Sequence, residues 1–159
     1  MGYSIGIGEI IYTLDEDESE DTVSVSAREE DISDAPDLGH GDVSDKTNYR
    51  HPSYSGWHSF CFETKLLDVF YEDGGDFIGG HPGYVPLTKL QLERVREEKN
   101  NWIKTHPNTI CPSTIKCPQE NPYCDCECKV DFILGRLTWL EFWMDWALKN
   151  CKNPIIYNS

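Results

Sequence analysis

The hydrophobic positions of this chain change period along its length, and the changes mark its elements. Between Tyr3 and Leu14, Ile5 and Ile7 alternate with Gly6 and Gly8, and after Glu9 the phase slips to Ile10, Tyr12 and Leu14. Alternation predicts a β-strand, and the slip predicts either a bulge near Glu9 or a strand buried on both faces. Thr22–Ala27 alternates cleanly, with Val23, Val25 and Ala27 expected to face inward. A charged turn joins the two, so they read as a hairpin with an acidic connection. Arg28–Pro52 has no period and many breakers, which predicts a long loop. A helix is expected over residues 53–70, with Tyr54, Trp57, Phe60, Cys61 and Leu67 near one face. Residues 72–83 form a glycine-rich loop. Thr88 and Gln91 make a capping box for a second helix, ending near Thr105, with Leu92, Val95 and Trp102 inward. On its wet face Glu93–Arg96 and Arg94–Glu98 have the spacing of ion pairs.

A third helix is predicted from about Lys129 to Asn150. Ile133, Leu137, Leu140, Met144, Ala147 and Cys151 follow three-four spacing, and Trp139, Trp143 and Trp146 form a second stripe beside them. Two adjacent apolar stripes predict a central, mostly buried helix. Asn150 is a plausible cap, Pro154 forbids continuation, and Ile155–Tyr157 suits a short strand. The fold class read from these elements is α+β. A small antiparallel sheet, made of the N-terminal hairpin plus the C-terminal strand, packs on three helices. The whole of residues 1–159 is expected to form one domain, carrying an acidic segment at 15–42 and a cysteine-rich loop at 106–128.

Composition adds an aromatic content of 12%, which argues against global disorder. No run approaches the roughly 20 apolar residues that span a bilayer. The N-terminus lacks the basic and apolar regions of a secretory signal, and Gly6 stands where a myristoylation signal needs Ser or Thr. These features predict no membrane partner and a cytoplasmic setting with reduced thiols. Seven cysteines, an odd number, exclude complete pairing within one chain.

Charge changes the picture most. The formal net charge is −14, and residues 15–42 hold twelve acids and one base, Arg28. Residues 43–159 hold fifteen acids and thirteen bases, so the rest of the chain is nearly balanced. Such a segment repels a nucleic-acid backbone and attracts a basic partner. The residues expected to meet that partner are Asp15, Glu16, Asp17, Glu18, Glu20, Asp21, Glu29, Glu30 and Asp31.

Three further stretches carry candidate chemistry. Lys46–His58 gathers basic and aromatic side chains, and Tyr49, Arg50, Tyr54 and His58 would clamp and stack a small nucleotide. The competing reading pairs the cations with neighbouring acids and places the rings in the core. His58 and Cys61 share a helical face, but no third group orients them, so a catalytic role is not favoured. Cys111, Cys117, Cys124, Cys126 and Cys128 are separated by gaps of five, six, one and one residues. A zinc knuckle uses gaps of about two to four residues. Zinc on four curled thiolates, with His106 as a spare ligand, therefore stands second to free or disulfide-linked thiols. Asp73, Asp76 and His81 lack the regular spacing of a calcium loop.

The opening GYSIGIGE, the segment NYRHPSY and the closing WLEFWMDWALKN with IIYNS resemble an uncharacterised group of small tailed-phage proteins. The resemblance covers about half of the chain, and its motifs belong to no particular chemistry. It implies a virus-like setting, with the host cytoplasm as compartment, where small non-enzymatic inhibitors of host factors are common. The expectation is a non-catalytic interaction protein. Its acidic segment would bind a basic surface of a host protein, as an inhibitor or nucleic-acid mimic. Small-ligand binding through Tyr49–His58 is the alternative.

Overall fold

The computed structural model describes residues 5–13, 22–26, 36, 57–80, 83–107 and 131–158. The hairpin forms as the alternation predicts, from β1 (Ile5–Thr13) and β2 (Thr22–Ser26). The elements that follow are α1 (Trp57–Glu63), α2 (Leu67–Phe70), β3 (Gly83–Pro86), α3 (Lys89–Thr105), α4 (Phe132–Asn150) and β4 (Pro154–Asn158). The strands make one antiparallel sheet in the order β2-β1-β4-β3. This is the expected α+β fold, with β3 as a strand that the glycine-rich stretch concealed.

The phase slip in β1 has a simple cause. Ile5 to Glu9 pair with β4, Glu9 to Thr13 pair with β2, and both registers run without interruption. There is no bulge at Glu9. Ile5 and Ile7 are fully buried, and Gly6 and Gly8 on the other face are buried too. Gly6 lies opposite Tyr157, and a side-chain carbon there would fall inside the tyrosine ring. Only glycine lets that ring lie flat on the strand. Glu9, where β1 passes from β4 to β2, accepts the Lys152 backbone N–H on its carboxylate at 2.6 Å.

The helix expected over residues 53–70 is two helices where it is described. Leu66 N–H donates to Cys61 O at 2.8 Å and Lys65 N–H to Phe62 O at 3.3 Å, with Lys65 at φ 60°. That is the hydrogen-bond pattern of a helix stop, with lysine in the left-handed place usually held by glycine. Thr64 donates its hydroxyl to Phe60 O at 2.7 Å just before the break. The break turns Leu66 fully into the core beside Phe60, Val69 and Phe70. The glycine stretch is an ordered turn over residues 71–80. Tyr71 bridges Phe77, Glu72 N–H donates to Asp76 O, and Phe77 is buried.

α3 begins at the expected capping box, with Thr88 and Gln91 bonded reciprocally. α4 begins at Asp131 rather than Lys129, because the Asp131 carboxylate accepts the N–H groups of Ile133 and Leu134 at 3.0 and 3.1 Å. It packs on α3 and β1, and Leu137, Trp139, Leu140, Trp143, Met144 and Ala147 are all buried. The tryptophan stripe is therefore core, with only Trp146 half-exposed.

Candidate functional site

The hairpin fixes where the acidic connection starts and stops. Thr13 and Thr22 are cross-strand partners, so the chain between them leaves and re-enters the sheet at one point. Asp15, Glu16, Asp17, Glu18, Glu20 and Asp21 belong to that connection. Glu29, Glu30 and Asp31 follow closely after the end of β2 at Ser26. All nine lie outside the described residues. Among the described strands, β2 stands at one edge of the sheet.

The described residues hold twelve acids and nine bases, a net of −3, leaving −11 of the formal charge elsewhere in the chain. Several of the described bases are engaged close by. Arg94 bonds Glu98 at 2.9 Å, Asp68 at 3.1 Å and the carbonyl of Lys65 at 2.9 Å. The Glu98 hydrogen bond, with Asp68 assisting, holds the Arg94 guanidinium above its usual range. Arg96 was expected to pair with Glu93 along its own helix. It crosses to α4 instead, reaching Glu141 at 3.4 Å and Asp145 at 3.1 Å. Lys99 also reaches Glu141, at 2.8 Å, and Lys149 reaches Asp145 at 2.7 Å. Hydrogen bonding from Lys149 first, then from Arg96, keeps the Asp145 carboxyl below its ordinary value. The Arg96 and Lys99 pairs tie α3 to α4.

Of the proposed ligand-binding residues Tyr49, Arg50, Tyr54 and His58, the described residues include only His58. It is exposed, with its ring edge-on to Tyr71 at 5.0 Å. Cys61, three residues on, is fully buried, and burial pushes its thiol pKa far up. A neutral buried thiol is not a nucleophile, so these two side chains form no catalytic pair. Cys151 is half-buried, more open than the core position expected for it. Asp73 and Asp76 are exposed on the glycine turn, and His81 lies outside the described residues.

Cys111, Cys117, Cys124, Cys126 and Cys128 also lie outside them, but the two stems of their loop are described. Trp102, near the end of α3, donates its indole N–H to Asp131 at 2.6 Å. His106 stacks on Trp102 at 3.9 Å, with its Nδ1 near Thr105 Oγ1 and Trp102 O. Beside this stack lies a cleft of about 190 Å³, bordered by Glu63, Lys65, Glu98, Asn101, Trp102 and His106. Its walls come from the helix stop and from α3, and no linear motif marks it. Among the described residues no group of three His, Cys, Asp or Glu side chains is placed to hold a metal. No helix among them is long and apolar enough to cross a membrane.

The chain matches no family model, no curated protein and no solved structure.

Proposed function

We propose that this is a non-catalytic interaction protein whose acidic segment engages a basic surface on a protein partner. The observation that carries the reading is the closure of the hairpin at Thr13 and Thr22. A connection tethered at both ends cannot carry its backbone farther than about half its contour, roughly 16 Å, from that pair. Six carboxylates are thereby held within about two Debye lengths of that pair, the Debye length being about 8 Å at physiological salt. Their potentials add, and the bases of Arg94, Arg96, Lys99 and Lys149 are already engaged by acids of the helices. A concentrated negative field steers a positively charged partner and accelerates encounter. The virus-like setting implied by the resemblance makes a host protein the partner class, with carboxylates standing in for the phosphates of a nucleic acid.

The test compares the natural chain with a variant carrying Asp15→Asn, Glu16→Gln, Asp17→Asn, Glu18→Gln, Glu20→Gln and Asp21→Asn. Each is immobilised and exposed to bacterial lysate at about 50 and about 500 mM salt, a range over which surface attraction is strongly screened. A basic protein retained by the natural chain at low salt, and lost both at high salt and with the variant, is the expected result. Retention indifferent to salt and to the six amides sinks the proposal.

A further inference from the structure

We infer that β2 is the sheet's docking edge, and that its occupant is an extended, lysine- or arginine-bearing segment of the protein partner, added as a fifth strand. The inference deepens the acidic-surface reading and rests on it for the chemistry of the occupant.

Backbone geometry shows which groups β2 offers. Along a strand, the N–H and C=O of one residue point to the same side, and successive residues point to opposite sides. Ile10 N–H donates to Asn153 O at 3.2 Å, toward β4. Even-numbered residues of β1 therefore face β4, and Glu9, Ile11 and Thr13 face β2. The register places Ser26, Ser24 and Thr22 opposite those three. Val23 and Val25 then turn their N–H and C=O away from β1. Among the described residues no strand lies beyond them. Two donors and two acceptors, repeated at a spacing of about 7 Å, are what an added strand pairs with.

The opposite edge is built differently. Leu87 N–H donates to Pro154 O at 2.9 Å, so odd-numbered residues of β3 face β4 and Tyr84 and Pro86 face outward. Pro86 has no N–H to offer. A side-chain carbon on Gly79, at φ 80°, would lie 2.5 Å from Tyr84 O and 3.0 Å from its N. The glycine turn thus already lies against the outward backbone of Tyr84. One edge of the sheet is blunted in two ways, and at the other, among the described residues, nothing covers the outward backbone of Val23 and Val25.

Charge selects the occupant. β2 is five residues long, with six carboxylates in the connection before it and Glu29, Glu30 and Asp31 soon after it. A strand paired through Val23 and Val25 runs between these two negative stretches. Cationic side chains gain attraction at both ends, whereas an acidic strand would meet repulsion.

The probe is a fluorescent peptide of alternating lysine and valine, about nine residues long, within the usual strand range. Anisotropy reads its affinity, and amide hydrogen exchange by NMR on the full-length chain reads its seat. The Val23 and Val25 amides should exchange freely in the free protein and slow by about tenfold or more with peptide bound, while Ser24 is protected throughout. Val25→Pro removes an outward donor and spares the bonds to β1, so it should weaken binding by about tenfold with the melting temperature retained. Val23→Pro is the second variant should the first unfold. Val23 and Val25 amides protected before peptide is added overturn the inference, as does the absence of binding at millimolar peptide. Binding that ignores both prolines yet disappears with the six-amide variant overturns the edge and leaves the acidic reading standing. Binding indifferent to those carboxylates overturns the acidic reading itself.

Discussion

Replacing Asp131 with alanine should be among the most damaging single changes available at a half-buried position, because one carboxylate closes two structures. One oxygen caps α4 by accepting the N–H groups of Ile133 and Leu134. The other accepts the indole N–H of Trp102 at 2.6 Å and so joins the end of α3 to the start of α4. Loss of an aspartate N-cap costs about 1 kcal/mol. A hydrogen bond to a charged group contributes about 1.5–3 kcal/mol, and the lower end applies here because both partners are half-exposed. Asp131→Ala should therefore cost about 2.5–3 kcal/mol, a large share of the roughly 5–15 kcal/mol that holds a typical domain folded. The length-dependent cost of closing the 23-residue connection between Pro107 and Asp131 is about 3 kcal/mol, of the same order as the clamp that closes it.

The two roles separate in a double-mutant cycle. Asp131→Asn keeps a capping acceptor and weakens the indole bond, while Trp102→Phe removes the bond and leaves the cap. Urea titrations of the single and double variants should give a coupling of about 1.5 kcal/mol between Asp131 and Trp102. The melting temperature of Asp131→Ala should fall by roughly 6–12 °C, the scale expected for a domain of this size. A coupling below about 0.5 kcal/mol, within the scatter of independent sites, would refute the clamp and leave Asp131 as an ordinary cap.

Two other changes test the helix framework. Lys65→Gly should raise stability by about 0.5–1 kcal/mol in urea titration, because glycine holds φ 60° without the steric cost lysine bears there. Lys65→Ala should bring no such gain. Asp145→Asn should lower stability at neutral pH, with the deficit closing in acid. The Asp145 carboxyl is depressed in the folded chain by Lys149 and Arg96, so its contribution is present above the unfolded value of about 3.9 and lost as pH falls through the lower folded value. Urea midpoints for the two proteins should therefore converge below about pH 4; a gap that stays constant down to about pH 2.5 would show that the carboxylate's charge is not what stabilises the site.

The parts of the fold that were legible in the sequence are those whose signal is local. The capping box of Thr88 and Gln91 placed the start of α3, and the three-four spacing of Leu137, Leu140, Met144 and Ala147 placed α4 and its buried face. The break at Lys65 carries neither glycine nor proline, so periodicity ran through it. β3 is four residues long and follows a glycine-rich stretch, too short for alternation to register. The spacing offers Glu93 to Arg96 because a sequence shows neighbours three and four apart along one helix; the pairing with Glu141 and Asp145 depends on how two helices cross. The start of α4 was readable: Asp131 stands directly before the apolar run, a capping signal stronger than Lys129. The acidic segment was legible as charge. Which backbone groups the two outer described strands turn outward was not, because that depends on the parity of hydrogen bonding through β4.

Charge and edge act on each other. An unpaired edge strand invites a second copy of the same chain as readily as it invites a partner. If two copies paired through β2, each would bring its own six carboxylates of residues 15–21 and the three of residues 29–31 to the seam. Two unit charges about 10 Å apart in water repel by about 0.4 kcal/mol before screening. If the carboxylates of the two copies came within that distance, many such pairs would oppose the few edge hydrogen bonds, at about 1 kcal/mol each, that the pairing returns. On the proposed reading, the carboxylates that would draw in a basic strand would also hold identical copies apart. The blunting at β3 relies on Pro86 and the Gly79 turn and needs no charge. Charge of this sign would keep such an edge closed to its own kind and open to the opposite one, which is the property that the proposed strand-capturing surface requires.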